Sequence, residues 1–202
     1  MAVNNNCQPT VYNVGYLGEG KYKRTVNGKA TKQYEEWVHM LQRAFDEELK
    51  LRYPTYKDVI IDERFYCFQD YCYWRECNYY EIENEQMHLD KDILFKGNKI
   101  YSPDTCIFVP ERVNNLFIKR NNSRGDLPIG VCYHKQRNKY QANCNTLNGK
   151  KYLGLYNTPE EAFLAYKKFK EQYIKEVADD YRNKIPKELY EAMYRWEVEI
   201  TD

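Results

Sequence analysis

Between residues 32 and 50, Trp37, Met40, Leu41, Ala44, Phe45 and Leu49 follow the i, i+3, i+4, i+7 rhythm of a helix buried on one side. Glu48 alone interrupts this stripe, and His39 falls on the opposite, exposed side. Tyr53-Pro54 ends the helix, Val59, Ile60 and Ile61 read as a short strand, and Phe65, Phe68, Tyr71, Cys72 and Trp74 predict a second helix reaching Cys77. Upstream, a segment rich in Asn, Gly and Tyr carries Asn27-Gly28, a hairpin signal between short strand-like pieces. Downstream, residues 87–94, a turn at Gly97-Asn98, residues 101–110 and residues 111–118 read as strand, hairpin turn, strand and helix. Asn98 in such a turn has backbone geometry as its default role.

The polar stretch 121–127, with Gly125 and Pro128 at its end, reads as a linker. Beyond it, residues 130–135, 139–145 and 150–156 alternate as three strands, the last two joined through Asn148-Gly149. Thr158-Pro159-Glu160-Glu161 is a capping box with proline at the first helical position. Ala162, Phe163, Ala165, Tyr166, Phe169, Tyr173, Ile174 and Val177 give the helix that follows a broad apolar face. Ile185-Pro186 breaks the chain before a last helix near 187–196. These elements predict an α+β chain with an N-terminal region at 1–120, a linker at 121–128 and a domain at 129–202. In that domain a three-stranded antiparallel sheet packs on one long helix and ends in a helical cap.

With 202 residues, 43% of them hydrophobic, and 21 Tyr, the chain can bury a core and is too aromatic for disorder. No apolar run is long enough to cross a membrane, and the first residues lack the basic start and apolar stretch of a signal peptide, so a cytoplasmic protein without a membrane partner is expected. Seven scattered Cys without any C-x-x-C spacing predict reduced thiols and no structural zinc, since steps of five at Cys67, Cys72 and Cys77 do not share a helix face. The net charge of +1 hides an asymmetry: residues 113–157 hold eight basic side chains against the single acid Asp126. That imbalance fits either a nucleic-acid surface or a basic loop.

Strand alternation separates Tyr140, Ala142 and Cys144 from Lys139, Gln141, Asn143 and Asn145. The first set suits the helix. The second set, extended by His134, Lys150 and Tyr152 and flanked by Lys135, Arg137 and Lys151, combines amide, cationic and aromatic groups. Amides can read adenine and lysines can reach guanine or phosphate, while an ordinary solvated sheet face would carry the same residue types.

Gly130-Val131, Lys139-Tyr140-Gln141-Ala142-Asn143, Tyr152-Leu153-Gly154-Leu155-Tyr156 and the run Thr158 to Tyr166 resemble the Apetala/ethylene-response-factor (ERF) type DNA-binding domain, which also occurs in phage endonucleases. The resemblance spans about 128–174. It implies that the sheet enters the major groove of double-stranded DNA and that Cys132, His134, Asn143, Asn145, Lys150 and Tyr152 occupy the contacting positions. The plant domains use mostly Arg and Trp there, which implies a different sequence preference for this chain.

Met87-His88-Leu89-Asp90, Ser102 to Val109 and Asn114 resemble the two strands and helix of the H-N-H nucleases, the ββα-metal motif, over about 86–118. That family implies His88 as the base that activates water and Asn114 as a ligand of Mg²⁺ or Mn²⁺. The usual second ligand position holds Met87, a poor ligand for a hard cation, which leaves Asp90 or Asp92 as the carboxylate. His88 is equally a structural histidine, and Asp90 and Asp92 are equally solvated hairpin charges. The whole arrangement is similar to phage-encoded proteins of the H-N-H endonuclease type. It implies a DNA-binding protein that nicks, a DNA-binding protein whose nuclease module has decayed, or a phage protein whose many tyrosines contact a host protein.

Overall fold

The computed structural model describes residues 7–118 and 126–202, so most of the expected linker at 121–128 lies outside the described residues. Those residues form a mixed α+β chain with six α-helices and several small sheets, divided into two compact units. Unit 1 comprises residues 1–81 and 89–108, and unit 2 comprises residues 82–88 and 109–202.

Unit 1 begins with a hairpin of β1 (Thr25–Val26) and β2 (Lys29–Ala30). Asn27 and Gly28 form its turn with φ of 52° and 76°, the backbone that a tight hairpin turn needs and that these two residue types tolerate. The expected continuous helix over 32–50 is interrupted. Helix α1 (Lys32–Phe45) stops at Asp46, whose carboxylate accepts the Leu49 N–H at 2.9 Å and starts α2 (Glu47–Arg52) as its N-cap. An acid able to cap ends one helix and opens the next, a local competition that the apolar rhythm does not register.

Next come β3 (Ile60–Ile61), a short turn and α3 (Phe68–Asn78). Trp37, Met40, Leu41 and Ala44 of α1 pack with Phe65, Phe68, Tyr71 and Cys72 into an aromatic core, in which the Trp37 indole N–H donates to the Phe65 carbonyl at 2.8 Å. Phe65 meets Tyr71 and Trp74 edge-on at 5.4 and 5.0 Å between centroids, a geometry that adds to the area term. Arg75 is buried beside this core and fully answered. It pairs with Glu36 at 2.6 Å, and its guanidinium lies 3.9 Å from the Tyr79 ring centroid.

The segment read as a simple hairpin is rearranged. β4 (Met87–Asp90) is half the expected length, and residues 101–110 are split into β5 (Ile100–Tyr101) and β6 (Ile107–Pro110) by a turn in which the Cys106 N–H donates to the Ser102 carbonyl at 3.0 Å. β5 pairs in parallel with β3, and β6 pairs with β4. The expected helix 111–118 is one turn, α4 (Glu111–Asn114), followed by further turns to Phe117. The Asn98 side chain donates to the carbonyls of Lys91 and Ile100 at 2.7 and 2.8 Å, so it holds the loop backbone.

In unit 2, β7 (Val131–His134), β8 (Lys139–Thr146) and β9 (Gly149–Tyr156) form an antiparallel sheet with β8 in the centre. The β8–β9 connection is Leu147-Asn148, one residue earlier than the expected Asn148-Gly149 turn. Helix α5 (Pro159–Tyr181) starts at the full capping box: Thr158 Oγ1 accepts the Glu161 N–H at 3.2 Å, and the Glu161 carboxylate accepts the Thr158 N–H at 3.3 Å. Val131, Ala142 and Cys144 of the sheet share one core with Ala162, Phe163 and Tyr166 of α5 and with Val198. Helix α6 (Lys187–Tyr194) contacts α5, and its Tyr190 and Tyr194 hydroxyls donate to Asp179 at 2.9 and 2.6 Å.

Gly130 joins β7 to this core with φ +78°, and a Cβ there would lie 2.1 Å from Tyr166 Cδ2. Gly130→Ala should therefore destabilise unit 2 by about 2 kcal/mol or more, read as a lower midpoint in urea; an unchanged midpoint would remove this contact from the packing account. Thr158→Ala, which deletes a cap but leaves the core intact, should cost about 1 kcal/mol in the same assay.

Candidate nucleic-acid interface

The pairing register fixes which side chains share a face of the sheet. Cys132 lies opposite Gln141, His134 opposite Lys139, Asn143 opposite Tyr152 and Asn145 opposite Lys150, so these eight project from one side. Val131 opposite Ala142, and Tyr133 opposite Tyr140, project from the other, where Ala142 is buried in the core with α5. Lys139, Asn145, Lys150 and Tyr152 are exposed, Tyr152 by 54%. Lys135 and Arg137 stand exposed in the short helical turn that links β7 to β8, which closes at Asn138 in the left-handed conformation with φ 48°.

Two residues behave differently from simple alternation. Ala142 faces Gly154 whereas Asn143 faces Tyr152, so Leu153 is an extra residue and β9 carries a bulge there. Asn143 is 9% exposed, and its amide is engaged: Gln141 Nε2 donates to Asn143 Oδ1 at 2.8 Å, and Asn143 Nδ2 lies 3.5 Å from Cys132 Sγ. Lys151 lies opposite Cys144 and therefore belongs to the inner side, although its side chain is exposed. His134 Nδ1 is buried without a hydrogen-bond partner among the described residues.

The residues with nuclease-like spacing are divided between the units. His88 and Asn114 belong to unit 2, and Asp90 and Asp92 to unit 1. His88 Nε2 is buried and has no hydrogen-bond partner among the described residues, whereas Met87 is buried as an apolar side chain. Asp90 Oδ1 accepts the N–H groups of Asp92 and Ile93, both at 2.8 Å, and so organises its own turn. Among the described residues no group of three or more His, Cys, Asp and Glu side chains is placed to hold a metal, and no helix is long and apolar enough to cross a membrane.

One polar residue escaped sequence reasoning. Lys170 sits on α5 between Tyr166 and Ile174, a position that the helical repeat reserves for an apolar side chain, and it is 7% exposed. The signal was present as a lysine inside an apolar stripe.

Burial first, and the Asp92 charge second, push the Asp90 carboxyl up to about 6, against about 4 in an unfolded chain. The folded state thus keeps a proton that the unfolded state releases between about pH 4 and 6, and stability falls as pH rises through that window. In EDTA, Asp90→Asn should melt several degrees above the parent chain at pH 7, with the gap closing below about pH 4; parallel melting curves at both pH values would contradict the burial of this charge. Comparison of the chain with family models, curated proteins and solved structures finds no match.

Proposed function

We propose that this protein binds double-stranded DNA through the outer face of the β7–β8–β9 sheet. The observation that carries the reading is the strand register, which gathers His134, Lys139, Gln141, Asn145, Lys150 and Tyr152 on the side opposite α5. Lys139 and Lys150, with Lys135 and Arg137 at the strand end, supply charge for phosphates. Gln141 and Asn145 supply amides for base edges, and Tyr152 supplies an exposed ring. Asn143 supports this face from below, because its amide holds Gln141 in place. The resemblance to the ERF-type domain points to the same surface.

Nicking by the segment around His88 is a second reading, supported by the unpartnered Nε2 of that residue. It requires Asn114 with Asp90 or Asp92 to hold Mg²⁺ or Mn²⁺, and Asp90 Oδ1 is already committed to two backbone N–H groups. Binding without cleavage is therefore the preferred form of the proposal.

Gel shifts on random duplex DNA test the surface. Lys150→Ala combined with Tyr152→Ala should weaken binding at least tenfold, and loss of the lysine should lower the slope of log affinity against log salt by about 1. Lys151→Ala, on the inner side, should weaken it less, and equal affinity of the double variant and the parent would remove the sheet face from the proposal. A supercoiled-plasmid assay with Mg²⁺ or Mn²⁺ on the same preparations separates the two readings. Nicking that disappears in His88→Ala would establish cleavage, and a shift without nicking would establish binding alone.

A further inference from the structure

The bulge in β9 changes what stands beside Gln141. Strict alternation from Lys150 and Tyr152 would turn Gly154 and Tyr156 outward, but the extra residue at Leu153 shifts the phase, and Leu155 comes to lie opposite Gln141. Leu153 packs against the core with α5, whereas Cys132 of β7 and Leu155 of β9 flank Gln141 across the outer face. A half-buried aliphatic side chain thus faces outward within a polar surface. Along β8 the charges are sorted as well. Lys139 with His134 opposite, and Asn145 with Lys150 opposite, form the cationic rows of this face, and the rows of Gln141 and Asn143 between them carry no charge. Cationic rows suit phosphates, and neutral rows suit base edges.

The Gln141 amide is held in a fixed orientation. Its Nε2 donates to Asn143 Oδ1 at 2.8 Å, and Asn143 Nδ2 in turn lies 3.5 Å from Cys132 Sγ. This link uses one N–H of Gln141. The second N–H and Oε1 form no hydrogen bond with a described residue and remain for a partner. A donor and an acceptor side by side on one amide match N7 and the N6 amine of adenine in the major groove, and fixing them beforehand reduces the side-chain freedom lost on binding.

We infer that Gln141 and Leu155 together read one A·T base pair in the major groove, Gln141 through the N6 and N7 edge of adenine and Leu155 through the C5-methyl group of thymine. The inference rests on DNA binding by this sheet face. Adjacent strands lie about 4.8 Å apart, so the amide and the aliphatic group are immediate neighbours, as the adenine edge and the methyl group are within one A·T pair. A G·C pair fits less well, because guanine presents acceptors at both N7 and O6 and its partner has no methyl group. Asn143 is a positioning residue that acts through Gln141.

Selection of the full chain on a randomised duplex library, followed by gel shifts on the selected duplex, tests the inference. The parent should fix at least one A·T pair. Gln141→Ala should lose the preference at that pair while keeping its affinity for random duplex within about threefold and its salt slope unchanged, because no cation is removed. Asn143→Ala should relax the same preference. Replacing the selected adenine by 7-deazaadenine should weaken the parent about tenfold and leave Gln141→Ala nearly unaffected. Replacing the paired thymine by uracil should weaken the parent about threefold and leave Leu155→Ala nearly unaffected. Both analogues alter the DNA and not the protein, so the parent's response to them is independent of how the variants fold. Parent binding that ignores both analogues at every fixed A·T pair, or an unchanged selected sequence for Gln141→Ala, overturns the inference and leaves DNA binding by the sheet standing. A parent that binds no duplex overturns the sheet-face reading and this inference with it.

Discussion

Burial of Ala142 and Cys144 beneath Ala162, Phe163 and Tyr166 is the contact on which the proposed interface depends. Because strand side chains alternate, fixing one face of β8 fixes the other, and a slip of one residue would exchange them. Gln141 and Asn145 point outward because their neighbours are held inward. Gly130 tightens this arrangement, since the missing Cβ lets the start of β7 approach the Tyr166 ring. The β9 bulge at Leu153 interrupts the alternation without disturbing the centre, and Tyr152 stays opposite Asn143 while Leu153 packs against the core.

The two buried cations show how differently charge is handled. Arg75 is enclosed by a carboxylate and aromatic rings, so its desolvation is offset inside unit 1. Lys170 lies on the inner side of the sheet beside the Cys144 thiol and borders an open groove.

The stretch 86–118 is not a compact body of its own. β4 passes from unit 2 to unit 1 between His88 and Leu89, and β6 passes back between Phe108 and Val109. β5, which should have completed a hairpin, instead pairs with β3, Ile100 lying opposite Ile60, far earlier in the chain. Its residues thus serve the packing of unit 1 as well as any chemistry, and Asp90 shows the consequence by spending an oxygen on its own turn.

Elements with a strong local code were legible in the sequence. The capping box at Thr158, the Asn27-Gly28 turn and the apolar stripes of α1 and α5 are set by contacts within a few residues, and the alternation in β8 sorted most of the outward set. Tertiary structure decided the rest. No local signal announces the parallel pairing of β5 with β3, the β9 bulge that brings Leu155 opposite Gln141 depends on its partner strand, and the burial of Lys170 follows from the sheet that α5 packs against. Local backbone preferences act through neighbours in sequence, whereas register, burial and charge compensation arise only when distant segments meet.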